Sequence, residues 1–286
     1  MKIEMKIEMK IEMKISIITI NYNNVEGLVK TIESVKSQAD SNYEWIVIDG
    51  GSVDGSRKVI LENQASFSYW CSEKDTGVYN AMNKGIVKST GEYLFFLNSG
   101  DYLFDSEVLA DMATLLASGE DVIYGDMLLA GGGLDGVVQV YPDVLDMDFF
   151  IKTTLGHQAC FIKRSLFQDS LYNETLSLVS DFEFFIKKIV LENSSYKHIQ
   201  RIISIYDVCG ISSNGELCVN ERESVLRTYF PKMVYEALES ATHMKQQPLY
   251  ALFEELCHTR RFQYRIKPIL LFLLKLNSFF SKRHYK

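Results

Sequence analysis

Residues 15–50 read ISIITINYNNVEGLVKTIESVKSQADSNYEWIVIDG. The run 15–20 is apolar and rich in β-branched residues, which predicts a buried strand that ends at the polar residues NYNN. The run 43–48 has the same character and stops at Asp-Gly-Gly. Between the two runs, four apolar residues recur at helical spacing: Val25, Leu28, Ile32 and Val35. This strand–helix–strand order predicts a right-handed βαβ unit with parallel strands.

The same alternation continues to residue 97. We expect helices at 56–63 and 79–88 and strands at 68–71 and 92–97. The predicted fold class is α/β: a Rossmann-like, mostly parallel sheet flanked by helices, with a C-terminal helical extension. In such a sheet the ligand binds beyond the carboxyl ends of the strands, so the polar residues directly after each strand are the site candidates.

The second half of the chain is less regular. A helix is expected across 181–192, and the pattern turns helical again from about residue 221. Short strands are expected at 122–124, 137–141, 161–163 and 202–205. The first two of these would form a hairpin-like pair around the glycines 131–133.

Residues 1–13 stand apart because they repeat the sequence MKIE three times. This four-residue period has no counterpart downstream, so we expect the arm to lie outside the fold. The chain then divides into an α/β domain at 14–220 and a helical region with a basic amphipathic tail at 221–286.

Charge is unevenly distributed along the sequence. The formal net charge of −7 argues against general nucleic-acid binding. Residues 257–286 hold eight Lys or Arg and no Asp or Glu, whereas the rest holds 22 basic and 37 acidic residues. Because apolar residues are interspersed with the basic ones, the tail is predicted to contact an anionic membrane surface. The alternative is that these apolar residues pack a C-terminal helix onto the domain.

The cysteines indicate a reducing compartment. Their number is odd and they show no paired CxxC spacing, which is typical of free thiols: Cys71, Cys160, Cys209, Cys218 and Cys257. The sequence shows neither a secretory signal nor an apolar run of about 18 residues. We therefore expect a cytoplasmic protein, peripheral at the inner face of the membrane.

Three polar clusters follow the predicted strands: NYNN at 21–24, DGGSVDG at 49–55 and NSGD at 98–101. A carboxylate at such a position can accept a hydrogen bond from a nucleobase imide, or hold a divalent cation that bridges a diphosphate. An aromatic side chain such as Tyr22 can stack on the base. Taken singly, each cluster also fits a plain turn.

Taken in order, these segments resemble the nucleotide-binding half of family-2 glycosyltransferases. The resemblance is close over residues 14–103 and looser beyond, in GHQACFIKR, SDFEFFIK and GISS. The segments that carry it most strongly are SIITINYNN, IVIDGGSVDGS, SEKDTGVYNAMNKGI and STGEYLFFLNSGD. It implies a glycosyltransferase-A fold and an inverting enzyme of the bacterial cell-surface polysaccharide type.

The resemblance also implies a donor site for a nucleotide sugar of the UDP type. Tyr22 would pack on the uracil-type base, Asp49 would bind its imide edge, and Asp75 would line the nucleoside pocket. Asn98 and Ser99 would contact the donor as part of the family's metal motif.

That motif departs from the family pattern. Asn98 and Gly100 replace acids that many relatives carry, so Asp101 is the sole carboxylate left. The resemblance implies that Asp101 holds Mn²⁺ or Mg²⁺ together with phosphate oxygens. Whether the metal is strictly required stays open.

Asp181 matches the family's general base, which takes the proton from the acceptor hydroxyl. Glu183 is the competing candidate, and an acid favoured by the dipole at the start of a helix is the plain structural alternative. His157 and Gln158 match the acceptor side, and Ser212 a mobile loop over the donor, although a structural histidine and a simple turn fit as well.

The predicted activity is sugar transfer to a hydroxyl of a glycan or lipid-linked glycan. Two alternatives remain. One is a non-catalytic nucleotide-sugar-binding protein of the same fold. The other is a nucleotide-dependent enzyme of another class, against which the absence of GxGxxG and P-loop signatures argues.

Overall fold

The computed structural model describes residues 15–208 and 215–281, with the side chains of 276–281 excepted. The repeat at 1–13 and Ser212 lie outside the described residues. One compact unit ends at Tyr229 and a second begins at Phe230. The boundary expected at 220/221 falls inside helix α7, Gly215–Tyr229, which belongs to the first unit.

Residues 15–96 form the predicted alternation of strands and helices. The strands are β1 Ile15–Asn21, β2 Tyr43–Asp49, β3 Tyr69–Ser72 and β4 Tyr93–Phe96. The helices are α1 Val25–Lys36, α2 Ser56–Asn63 and α3 Val78–Lys88. Strand β1 pairs in parallel with β2 and β4, and β2 pairs in parallel with β3. These elements confirm the α/β prediction.

The apolar composition of β1 and β2 explains why they form parallel strands inside the sheet. Both faces of β1 and β2 are buried, as expected of parallel strands that have helices packed against them. Helix α1 buries the predicted face with Leu28, Ile32 and Val35. Its first turn is capped by Asn24, whose side chain accepts from Gly27 N at 3.1 Å.

The second half adds five strands: β5 Tyr102–Leu103, β6 Val122–Ala130, β7 Val138–Gln139, β8 Cys160–Lys163 and β9 Tyr196–Asp207. Its helices are α4 Val108–Leu115, α5 Met147–Lys152, α6 Ser180–Phe185 and α7 Gly215–Tyr229. The predicted helix at 181–192 is α6 continued by a π-helical segment, Ile186–Leu191.

The sheet order in the described chain is β3-β2-β1-β4-β8-β6-β9-β5, with β7 paired to β6. Strand β8 runs antiparallel to both β4 and β6, whereas β9 runs parallel to β6. The parallel sheet predicted from the sequence is thus the β1–β4 half, and the second half is mixed. The expected hairpin pair is present as β6 and β7.

The second unit is helical, as predicted, with α8 Lys232–Lys245, α9 Tyr250–Cys257 and α10 Arg260–Ser281. None of the helices in the described part of the chain combines the length and the hydropathy needed to span a bilayer.

Candidate active site

The carboxyl ends of β1, β2 and β4 meet at one edge of the sheet. Gly50 N donates a hydrogen bond to Asn21 O at 2.8 Å, and Ser99 N donates to Ile20 O at 3.0 Å. These backbone contacts join the three polar clusters that follow the strands. The parallel order therefore assembles one site from segments that are far apart in sequence.

Asp49 ends β2 and is fully buried. Its carboxylate accepts from Asn21 Nδ2 at 2.7 Å, from Ser52 Oγ at 2.5 Å and N at 3.0 Å, and from Ser72 Oγ at 2.6 Å. Burial raises the pKa of Asp49, but these hydrogen bonds outweigh it and the net pKa is lowered. Four donors occupy the carboxylate inside the protein, so Asp49 fixes the turn. Its predicted contact with a base imide stays a prediction.

Gly50 lies between two of the predicted donor-site residues. A Cβ added at Gly50 would lie 2.9 Å from Asp75 Oδ2 and 3.1 Å from Tyr22 Cδ2. The Tyr22 ring is 63% exposed, and Asp75 is held by Lys84 Nζ at 2.5 Å. The missing side chain thus lets an exposed aromatic ring and a carboxylate approach the backbone closely. Sequence reasoning did not single out Gly50, although its place directly after β2 was the available signal.

The turn 98–101 is held from α1. Thr31 Oγ1 donates to Asp101 O at 2.7 Å and accepts from Gly100 N at 3.1 Å. Asn24 Nδ2 donates to Ser99 O at 2.9 Å. Gly100 has φ +107°, a left-handed conformation that favours glycine. The turn therefore favours glycine at position 100, where many members of the family that the sequence resembles carry an acid.

Asp101 is the one carboxylate of that turn and is 6% exposed. Its Oδ1 accepts from Asp207 N, at the end of β9, at 3.1 Å. Burial raises the pKa of Asp101 to about 7, against the opposing effects of His157 and of the Asp207 amide. The negative charge of Asp207 adds to the rise.

The carboxylates of Asp101 and Asp207 fit a divalent cation. Their oxygen atoms are hard ligands, and a cation beside them would offset the repulsion between the two negative charges. The Asp207 carboxylate faces the turn, since its Oδ2 lies 3.9 Å from the position of a Cβ added at Gly100. The described residues include no group of three or more His, Cys, Asp or Glu side chains suited to a metal. Phosphate oxygens would therefore complete the coordination.

Asp181 lies in the first turn of α6 and is 8% exposed. Tyr79 Oη, from α3, donates to its Oδ1 at 2.9 Å, and Phe182 N donates to the same oxygen at 2.9 Å. His157 Nδ1 lies 2.9 Å from Oδ2. Burial and the Asp181 carboxylate raise the pKa of Tyr79 well above its ordinary value, so Tyr79 stays a donor.

His157 connects Asp181 to the turn 98–101. It begins a 3-10 turn, His157–Ala159, just before β8. Since Nδ1 faces a carboxylate, it carries the proton, and Nε2 accepts from Asn98 Nδ2 at 3.0 Å. Asn98 Oδ1 is buried and has no hydrogen-bond partner. The histidine predicted for the acceptor side thus contacts the predicted base directly.

Glu183 and Gln158 make hydrogen bonds to groups outside this network. Glu183 Oε1 accepts from Tyr229 Oη of α7 at 2.9 Å, so its carboxylate is engaged elsewhere. Gln158 is buried, and its carbonyl accepts from Ser204 Oγ at 2.6 Å. Ser212 lies outside the described residues. Tyr79 was missed from the sequence, although it stands in a segment that carries the family resemblance.

Comparisons with known proteins agree with this fold. The family model described as Glycosyl transferase family 2 matches residues 16–190. A protein of Mycobacterium tuberculosis, named an uncharacterized glycosyltransferase, is 33% identical over 206 residues, which are 70% of this chain and 78% of the relative.

Two solved structures share the fold at low identity. TarS of S. aureus in complex with UDP has a TM-score of 0.62 at 18% identity, over 82% of this chain and 71% of that chain. The mannosyltransferase PcManGT of Pyrobaculum calidifontis, in complex with GDP-Man and Mn²⁺, has a TM-score of 0.54 at 11% identity, over 84% and 82%.

The fold is that of glycosyltransferase-A enzymes, with additional C-terminal helices. The chain belongs to glycosyltransferase family 2 and is a glycosyltransferase.

Proposed function

We propose that this enzyme moves a sugar from a UDP-sugar to a hydroxyl of a glycan, with inversion at the anomeric carbon. The observation that carries the proposal is the Asp181–His157–Asn98 chain of contacts, which joins a predicted base to the nucleotide end of the sheet. A base and a leaving-group site must lie together for one-step displacement.

The donor nucleotide binds at the ends of β1 and β2. Its base stacks on the exposed Tyr22 ring, close to Asp75. Asn98 and Ser99 contact the diphosphate side. The likeness to TarS, which was solved with UDP, supports a uridine nucleotide.

Asp181 acts as the general base. It accepts the proton of the acceptor hydroxyl while that oxygen attacks the anomeric carbon from the face opposite the departing diphosphate. Tyr79 and His157 each donate to one of its oxygens and hold the carboxylate in one orientation. A single displacement of this kind inverts the anomeric configuration.

Mn²⁺ or Mg²⁺ would be held by Asp101, with Asp207 beside it. When bound, the cation would supply positive charge that offsets the charge building on the diphosphate. The likeness to PcManGT, which was solved with GDP-Man and Mn²⁺, supports a metal-assisted reaction.

The acceptor is a glycan or lipid-linked glycan of the polysaccharide-assembly type, met in the cytoplasm at the inner face of the membrane. Gln158 belongs to the acceptor side. The basic tail supports a membrane-bound acceptor, because it provides contact with an anionic surface.

A thermal-shift panel tests the donor class. UDP, GDP, dTDP, CMP and NAD are each added with and without Mn²⁺. At a hundred times its dissociation constant a ligand stabilises the fold by about 2.7 kcal/mol, enough to measure. We expect a metal-dependent shift with UDP that is lost in Tyr22→Ala and retained in Tyr264→Ala, since the two rings are similarly exposed, at 63% and 66%.

In Asp101→Asn, the UDP shift should no longer respond to Mn²⁺. A shift with NAD alone, or none with any nucleoside diphosphate, would overturn the proposal.

A further inference from the structure

Helix α10 carries a continuous apolar face in the second unit. Five apolar residues recur at i, i+4, i+7, i+8 and i+11, which places them along one side of a helix: Phe262, Ile266, Ile269, Leu270 and Leu273. All are exposed except Ile266, which is half-buried. Exposed apolar side chains in a contiguous patch indicate a binding surface.

The other sides of the same helix carry basic residues together with the exposed side chains of Tyr264, Leu271, Phe272 and Leu274. Five exposed basic residues occupy them: Arg260, Arg261, Arg265, Lys267 and Lys275. No acidic residue occurs anywhere in 257–286. A helix with an apolar face flanked by Arg and Lys matches the chemistry of a bilayer surface, where acyl chains lie beneath anionic headgroups.

We propose that α10 binds in the plane of an anionic lipid surface. Phe262, Ile269 and Leu273 insert toward the acyl chains, while the Arg and Lys side chains contact lipid phosphates. A second copy of the chain fits this helix less well, since two such helices would bring like charges together. The inference deepens the proposed membrane-bound acceptor but concerns binding alone, which needs neither donor nor acceptor.

Vesicle co-sedimentation of the full chain tests the proposal. Vesicles of phosphatidylcholine alone are compared with vesicles that contain about one third phosphatidylglycerol. We expect binding to the anionic vesicles to be at least about tenfold tighter, and to weaken in 0.5 M salt, since each basic residue near the surface adds electrostatic attraction.

Two variants separate charge from apolar contact. Arg261→Glu with Arg265→Glu, and Ile269→Asp with Leu273→Asp, should each lower vesicle binding at least about tenfold. The matched control is Arg57→Glu with Lys58→Glu in α2, which makes the same change in net charge on another exposed helix and should bind as the wild type does.

The proposal is overturned by weak binding to both kinds of vesicle, or by an equal loss in the α2 control. It is also overturned if the wild type sediments as a dimer that Ile269→Asp with Leu273→Asp converts to a monomer, because the apolar face would then be an interface between copies. Nucleotide shifts measured on the same preparations report the donor site separately.

Discussion

At the scale of single residues, Asp181 is held by a donor on each carboxylate oxygen. Tyr79 Oη and the backbone amide of Phe182 reach Oδ1, and His157 Nδ1 reaches Oδ2, all at 2.9 Å. These hydrogen bonds hold the carboxylate in one orientation. His157 is therefore a positioning residue of the proposed reaction.

Replacing His157 by Phe should lower kcat by at least about tenfold, because the Asp181 carboxylate loses the donor that orients its Oδ2. We expect kcat to fall more than KM rises, and His157→Asn, which keeps an N–H donor, to recover part of the loss. The measurement is the steady-state kinetics of donor turnover in the wild type and the two variants. A wild-type kcat in His157→Phe would contradict the positioning role.

Gly50 gives a second prediction at this scale. In Gly50→Ala the new methyl would lie 2.9 Å from Asp75 Oδ2 and 3.1 Å from Tyr22 Cδ2, so it would displace the two side chains proposed to line the base site. We expect nucleotide affinity to drop at least about tenfold while the melting temperature stays near the wild-type value. Calorimetric titration with UDP measures the affinity, and wild-type binding by Gly50→Ala would place the base elsewhere.

Between elements, Arg222 of α7 holds the end of α5. Its guanidinium lies 4.8 Å from the Phe182 ring centroid and donates to four carbonyls, those of Phe150, Ile151, Lys152 and Thr153. These are the carbonyls that a helix leaves unpaired at its C-terminus. The planar fork suits this task and a lysine does not.

Arg222→Lys should therefore lower the free energy of unfolding by about 2 kcal/mol, since most of the carbonyls lose their donor. Arg227→Lys, in the same helix but exposed and paired with Glu223 on the helix surface, is the control and should change it by less than about 0.5 kcal/mol. Thermal or urea unfolding compares the two. Equal effects would show that the carbonyl contacts contribute little.

Glu44 joins β2 to the turn before β4. Its carboxylate accepts from Ser16 Oγ at 2.5 Å, from Thr90 Oγ1 at 2.7 Å and from Gly91 N at 2.8 Å, and the Thr90 amide also donates to it. Burial raises the pKa of Glu44, but these hydrogen bonds dominate and lower it to about 2.

A lowered pKa stabilises the fold above the unfolded pKa, and that stabilisation is lost as the pH falls toward about 2. The difference in unfolding free energy between wild type and Glu44→Gln should be about 2 kcal/mol at pH 7 and should shrink between pH 5 and pH 3. Urea unfolding across that range measures it. A difference independent of pH would rule out the charge as the cause.

For the whole molecule, the sequence predicts the β1–β4 half well because its signals are local. Strands at 15–20 and 43–48 and the helix at 56–63 agree with the structure to within a residue or two. The antiparallel insertion of β8 between β4 and β6 could not be predicted, since it depends on pairing between segments far apart in sequence.

The site divides in the same way. The clusters 21–24, 49–55 and 98–101 could be placed together from parallel topology alone. The contact of His157 with Asp181 could not, because it joins a 3-10 turn to helix α6 within the irregular half of the chain. The four hydrogen bonds to the buried Asp49 carboxylate could not be predicted either. Asn21 and Ser72 donate from other strands, and Ser52 donates from the turn through both its hydroxyl and its backbone amide.

The most direct measurement compares Asp181→Asn with Glu183→Gln, using the nucleotide sugar that gives the largest thermal shift. Release of nucleoside diphosphate, with water as acceptor, is followed alongside nucleotide affinity. We predict that Asp181→Asn binds the nucleotide within about threefold of wild type but turns over at least about 100-fold more slowly, while Glu183→Gln retains turnover. Near wild-type turnover in Asp181→Asn, or a comparable loss confined to Glu183→Gln, would contradict the assignment of the base.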